Sequence, residues 1–259
     1  HVDIDTVRHL MDTDIRLFPL LSKQPGLQHK ASRLSCSGFV EAMEKGIADG
    51  ELTFDREIVL FFETNTKNEV IVNMTRVNGE NPVEPWSITR AETEGRRQAW
   101  ELYGFLRKRI PGFAQAHLLF TGPRIGIRSS RRLRGQYRLT AQDILSATKF
   151  ADGIAANGYP IDVHSADGTG TNSQHLAYGA YYTIPYRCML NNTIENVLVA
   201  GRNLSTEFEA HASTRLSPCC GALGHAAGLA AADAARRDGN VCTVAVDALR
   251  RRLRAQDAI

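Results

Sequence analysis

The run "GALGHAAGLAAADAARR", residues 221–237, constrains this chain more than any other stretch. Alanine is the best helix former, and each glycine in a helix costs about 1 kcal/mol against it. A helix written in such residues removes side-chain bulk, so its backbone can lie close to a sheet or a ligand. The helix is expected to begin near Cys219, after Pro218. Before it stands "NVLVA", residues 196–200, an apolar run rich in β-branched residues and read as a strand that stops at Gly201. A polar approach connects the two, with Arg202, Ser205, His211, Ser213, Thr214 and Arg215. A strand ending in glycine, a loop and an Ala/Gly helix is how an α/β sheet handles a dinucleotide. The first turn of such a helix offers unpaired N–H groups and a positive dipole end, which suit a phosphate or a polarised carbonyl. The competing account is a tightly packed structural helix with no ligand. Such a helix needs no polar approach.

At 259 residues the chain is long enough for one large or two small domains. Its formal charge of +3 is too small to argue for nucleic acid. Basic residues cluster locally, at 124–138 and 250–254. No apolar run is long enough to span a bilayer, and the N-terminal "HVDIDTVRHL" has no signal-peptide pattern. Five cysteines without repeated spacing point to reduced thiols and a cytoplasmic setting. Cys219 and Cys220 are adjacent; packing explains them more simply than a redox pair. No metal site is expected. The missing initial Met and the missing first unit described below suggest a processed chain or a piece of something longer.

Periodicity gives a mixed order of helices and strands. A short helix is expected around Phe39–Ala48, closed by Gly50. "EIVLFFET" (57–64) and "NEVIVNMTRV" (68–77) read as a hairpin. Residues 87–110 read as a helix ended by Pro111-Gly112. Residues 116–122, 132–140 and 180–186 read as strands, and Thr140 as the N-cap of a helix over 140–150.

The C-terminal segment resembles the flavin-binding motif of the FAD-dependent oxidoreductases within the glutathione-reductase-like superfamily. The matching residues are Ala200-Gly201-Arg202, Ser205, Ser213-Thr214-Arg215, Pro218 and Gly224-His225-Ala226-Ala227-Gly228. Upstream, "NMTRV", "GPRIGIRSSRRLRGQYRLTAQDI", "YPIDVH" and "YYTIPYRCML" resemble substrate-domain blocks of the same group. The resemblance implies an α+β or α/β fold: a mixed-sheet substrate domain over 1–190, then the last strand and helix of a Rossmann-like FAD domain over 191–259. It implies FAD as cofactor, held by Gly201, Arg202, Ser205, Ser213, Arg215, Pro218, Gly224, Ala227 and Gly228. It departs from the family in two places. The pyrophosphate-binding G-x-G-x-x-G is missing, since "ADGTGTNS" (166–173) follows no clear strand. Ser129 also stands where relatives often carry Glu. The missing motif implies a C-terminal portion whose partner is an N-terminal FAD-binding chain or segment. Assembly into an oligomer is open. The alternative function is a non-catalytic substrate-domain fragment that binds flavin only when so assembled.

A flavin accepts hydride, and an alcohol or amine donor also needs a base for its proton. His164 and His211 are the candidate bases, against the alternative of hydrogen-bonded structural histidines. Arg128 is assigned to catalysis, set against a small anionic substrate group or the reduced ring. Arg132, Tyr186 and Arg187 are assigned to the substrate, with ordinary core packing an equal alternative for Tyr186. Alternation in "GIRSSRRLRGQY" is expected to send Arg128 and Arg132 to one strand face and Arg131 to the other.

Overall fold

The computed structural model describes residues 1–23, 26–164 and 171–259. The chain folds as two compact units, one over His1–Gly126 and one over Ile127–His164 with Thr171–Ile259. Both are α+β, with small antiparallel sheets.

The first unit runs α1 (Ile4–Thr13), α2 (Pro19–Ser22), β1 (Ser35–Gly38), α3 (Val40–Ala48), β2 (Val59–Glu63), β3 (Val70–Val72) and α4 (Pro85–Arg109). Asp3 caps α1 by accepting the Thr6 amide at 3.1 Å. The strands pair antiparallel in the order β1-β2-β3. The expected hairpin is therefore β2–β3, and the expected helices are α3 and α4. The core gathers Val7, Phe18, Met43, Phe61, Met74, Leu102 and Phe105. Aromatic edges lock it: Phe18 on Phe39 and Phe61 on Phe113, each with ring centroids 5.1 Å apart.

The second unit runs α5 (Ala141–Leu145), β4 (Gly153–Asn157), β5 (Ile161–His164), β6 (Thr171–Gln174), β7 (Tyr182–Pro185), α6 (Phe208–Thr214), α7 (Ser217–Ala235) and α8 (Val246–Ala255). β4 pairs with β7 and β5 with β6, both antiparallel. α7 packs on β4 and α8, and α6 packs on β5. α7 tolerates Pro218 because its first turn needs no amide there. The helix buries Cys219, Leu223, Ala226, Ala230 and Ala234, one stripe at helical spacing. It ends where Gly239, at φ +77°, returns its amide to the Ala234 carbonyl at 2.9 Å.

Several expectations are corrected. Residues 196–200 form no strand; Val199 makes one backbone bond, donating to the Met189 carbonyl at 3.0 Å. Strands exist only through a paired ladder, and this segment has none. The Rossmann strand–helix unit read there is thus absent among the described residues. Residues 116–122 likewise form no strand, and 132–140 contributes only isolated bridges, Gly135 to Asn191 and Leu139 to Thr206. Thr140 caps α5 through a reciprocal capping box with Asp143, but the helix stops after five residues. Residues 208–214, taken as loop, are helix α6. Most of "ADGTGTNS" lies outside the described residues.

Candidate functional site

The site is built from the segment 128–139, the turn at 201–206, and α6 running into α7. Gly201 opens the turn at φ +79°, a left-handed conformation that a side chain would strain. Backbone bonds then lay 133–139 beside 203–207: Leu133 donates to the Asn203 carbonyl at 2.8 Å and Leu139 to the Ser205 carbonyl at 3.1 Å. Gly135 is needed for that closeness, since a Cβ there would lie 2.8 Å from Ser205 Cβ and 2.9 Å from the Leu190 carbonyl.

His211 is the centre of this arrangement. It is 3% exposed on α6. Its Nε2 lies 3.0 Å from the Arg128 carbonyl oxygen. A carbonyl only accepts, so Nε2 carries the hydrogen and the neutral ring presents a bare Nδ1. That Nδ1 is buried and has no partner among the described residues. Burial pushes the imidazole below its ordinary 6.5; the bond to Arg128 opposes that, and the charges of Arg132, Arg215 and Arg202 add to it. Arg132 is half-buried, and its Nη1 is likewise unpartnered. Burial and the charge of Arg138 hold its own pKa down. Thr206 is 2% exposed, with an unpartnered Oγ1. A buried polar atom left unpaired costs about 1–3 kcal/mol, so each of these three needs a reason.

The structure brings Arg132, Arg202, His211 and Arg215 together electrostatically, with the Arg128 carbonyl. Arg128 itself contributes its backbone; its side chain is exposed. The expected alternation of Arg128, Arg131 and Arg132 across a strand fails because residues 127–134 are not a strand. Arg215 is tied to Asp162, with Nη2 3.6 Å from its carboxylate and 3.4 Å from its carbonyl. The side chain of His164 lies outside what the structure describes.

Other expected residues have internal partners. Ser213 is fully buried, its hydroxyl 2.6 Å from the Tyr159 carbonyl and 2.7 Å from the Tyr182 hydroxyl. Its hydrogen-bonding capacity is spent inside the fold rather than on a ligand. Ser205 is 1% exposed and accepts the Gly135 amide at 3.1 Å. Tyr186 is core rather than cavity wall, donating to the Val241 carbonyl at 2.9 Å. Arg187 pairs with Asp152 at 2.9 Å and covers the Tyr137 ring at 5.0 Å. Pro218, Gly224 and Gly228 are exposed and Ala227 is half-buried. The expectation that Gly224 and Gly228 let the helix press on a neighbour is corrected: a Cβ at Gly221, Gly224 or Gly228 meets nothing within 4 Å. The close packing runs on the opposite stripe, through Leu223 and Ala226.

A family model for the FAD dependent oxidoreductases matches residues 16–253. The chain belongs to that family. Its cofactor is accordingly FAD, and its class is oxidoreductase. No curated protein and no solved structure matches the chain. The residues present fit such a cofactor on two observations. Buried His211 Nδ1 and Arg132 Nη1 await partners, and the glycine face of α7 leaves its backbone open to approach. The sequence reading missed Thr206 and Arg132's burial, because both follow from the Leu139–Thr206 bridge and its neighbours rather than from any local pattern. Among the described residues no helix is long and apolar enough to cross a membrane.

Proposed function

We propose that the chain oxidises a small polar substrate, with FAD as two-electron acceptor and His211 as the base that takes the substrate proton. The observation carrying this reading is the orientation of His211: its Nε2 hydrogen is committed to the Arg128 carbonyl at 3.0 Å, which leaves a bare, buried Nδ1. When bound, FAD supplies hydride acceptance. The substrate's O–H or N–H proton passes to Nδ1 as its C–H leaves as hydride, giving a carbonyl or imine. Burial first, and then the charges of Arg132, Arg215 and Arg202, favour the neutral imidazole beforehand, and those charges stabilise negative charge nearby. Arg202 and Arg215 flank the start of α7, whose first-turn amides suit the electron-rich edge of the ring. Residues 191–259 are assigned to cofactor binding and 1–190 to the substrate, within the glutathione-reductase-like superfamily. Because the sequence lacks G-x-G-x-x-G, the pyrophosphate contact is assigned to an N-terminal FAD-binding chain or segment.

The test is His211→Gln, read by single-turnover flavin bleaching. We predict a loss of about 10²–10⁴-fold with flavin still bound, the usual contribution of a positioned base. In the parent protein the acid limb of kcat/KM should fall below pH 6.5, since burial lowers the His211 pKa from that value. The sign for stability follows: a depressed imidazole binds protons more readily when unfolded, so stability drops as pH falls below 6.5. The Gln variant should lose that slope. Turnover unchanged by His211→Gln would remove the base from the mechanism.

A further inference from the structure

We propose that Arg132 and His211 together recognise a small carboxylic acid bearing an alcohol or amine beside its carboxylate, as in a 2-hydroxy or 2-amino acid. This rests on the oxidoreductase reading above and names the substrate class for the same site. The argument is one of complementary vacancies. Arg132 Nη1 is a donor with no acceptor, and His211 Nδ1 is an acceptor with no donor. Arg132 stands four residues beyond Arg128, whose carbonyl lies 3.0 Å from His211 Nε2, and beside Leu133, which donates to the Asn203 carbonyl at 2.8 Å, so backbone bonds carry both groups to one neighbourhood.

A ligand that satisfies both must carry an anionic acceptor and an O–H or N–H donor on one small frame. A guanidinium takes the paired oxygens of a carboxylate bidentately. A phosphate monoester dianion offers acceptors alone and would leave Nδ1 bare; inorganic phosphate keeps an O–H near neutral pH, and the titration below separates it from a hydroxy acid. A neutral alcohol would leave Arg132 unpaired, at the full desolvation cost of a charged donor. The charge balance agrees. Arg132, Arg138, Arg202 and Arg215 surround the cluster, and of these Arg215 has its carboxylate in Asp162. Thr206 Oγ1, also buried and unpartnered, lies on the segment bridged to Leu139 and adds a hydroxyl that can both donate and accept. The substrate hydroxyl or amine placed on Nδ1 is the group that loses its proton in the reaction.

The experiment is calorimetric titration of the full chain with four probes: glycolate, glycolamide, acetate and inorganic phosphate. Glycolate carries both groups; glycolamide lacks the charge, acetate lacks the donor, and phosphate lacks a carboxylate. We expect glycolate to bind at least ten-fold more tightly than each of the others. Arg132→Leu should weaken glycolate at least ten-fold without lowering the melting temperature, since it removes an unpaired buried donor. Arg132→Lys keeps the charge and should retain part of the binding, which covers the case in which the Leu variant fails to fold. Glycolate should also shift the nitrogen resonance of His211 Nδ1 toward a hydrogen-bonded value, which a structural arginine would not cause. Equal binding of glycolate and glycolamide, tighter binding of phosphate, insensitivity to Arg132, or no glycolate binding at all would each overturn the proposal. Visible flavin absorbance is read on the same samples. Bound flavin without Arg132-dependent glycolate binding defeats this inference and leaves the oxidoreductase reading; Arg132-dependent binding in a chain that takes up no flavin does the reverse.

Discussion

α4 and α7 are the two long helices, and they finish their outer faces in opposite ways. α4 covers its solvent side with charges that pair among themselves: Arg97 with Glu94 at 2.5 Å and with Glu101, and Arg96 with Glu92 at 3.5 Å. Arg109 and Lys108 extend the network to Glu51, whose carboxyl the two cations hold down at about 2. Apart from Trp86 and Trp100, that face is complete in water. α7 presents Gly221, Gly224 and Gly228 outward, with nothing near them. Among the described residues nothing packs against those glycines, and each costs the helix about 1 kcal/mol relative to alanine. A face that self-pairs is finished by the chain itself. A bare face is left open by the chain, and the proposed function gives it to the cofactor.

Three substitutions sharpen or break this contrast. The largest effect belongs to the packed stripe of α7. We predict that Leu223→Ala, at a fully buried position, lowers unfolding free energy by about 2–5 kcal/mol in denaturant titration. A loss under 1 kcal/mol would mean that the stripe is not the anchoring face.

The open face should respond differently. Gly224→Ala is expected to stabilise the flavin-free chain by about 0.5–1 kcal/mol, because the helix gains propensity and no neighbour is struck. Gly224→Val should leave the flavin-free fold intact while reducing flavin occupancy measured by absorbance, because its methyls fill the space above the backbone. Normal occupancy in Gly224→Val would return the glycine face to the solvent.

The smallest effect belongs to α4. Arg97→Gln breaks pairs whose members are substantially exposed, with Arg97 44% and Glu94 35% accessible. Screening leaves such pairs about 0.5 kcal/mol or less, shrinking further in salt. A salt-independent loss of several kcal/mol would show that α4 is held by its charges rather than by Leu102, Phe105 and Leu106 beneath it.

Much of this was legible in the sequence, and the limits are instructive. α3, α4 and the β2–β3 hairpin follow from apolar period and turn residues, which act locally. The Thr140 cap was legible for the same reason: its partner Asp143 is three residues away. The Ser-x-Arg and Gly-x-Ala-Ala-Gly residues pointed to flavin, and the family match agrees. The failures share a cause. "NVLVA" has the composition of a strand, but a strand is a relation between segments, and among the described residues no second segment forms a ladder with it. Ser213 and Tyr186 have polar groups that suit a ligand, and core packing was an equal reading for Tyr186; their internal partners, Tyr182 and Val241, are 31 and 55 residues distant and were invisible to spacing.

The sequence by itself determined α3, α4 and α7, the cofactor class and a set of histidines and arginines from which a site is drawn. Tertiary structure decided which of them remain available. The Arg128 carbonyl, brought to His211 from 83 residues away, fixes which imidazole nitrogen is bare. The bridge of Leu139 to Thr206 belongs to the same folding of 133–139 against 203–207, beside which Arg132 stands half-buried. Availability is a property of leftover hydrogen-bonding capacity after folding, and that remainder is known only once every other donor and acceptor has found its partner.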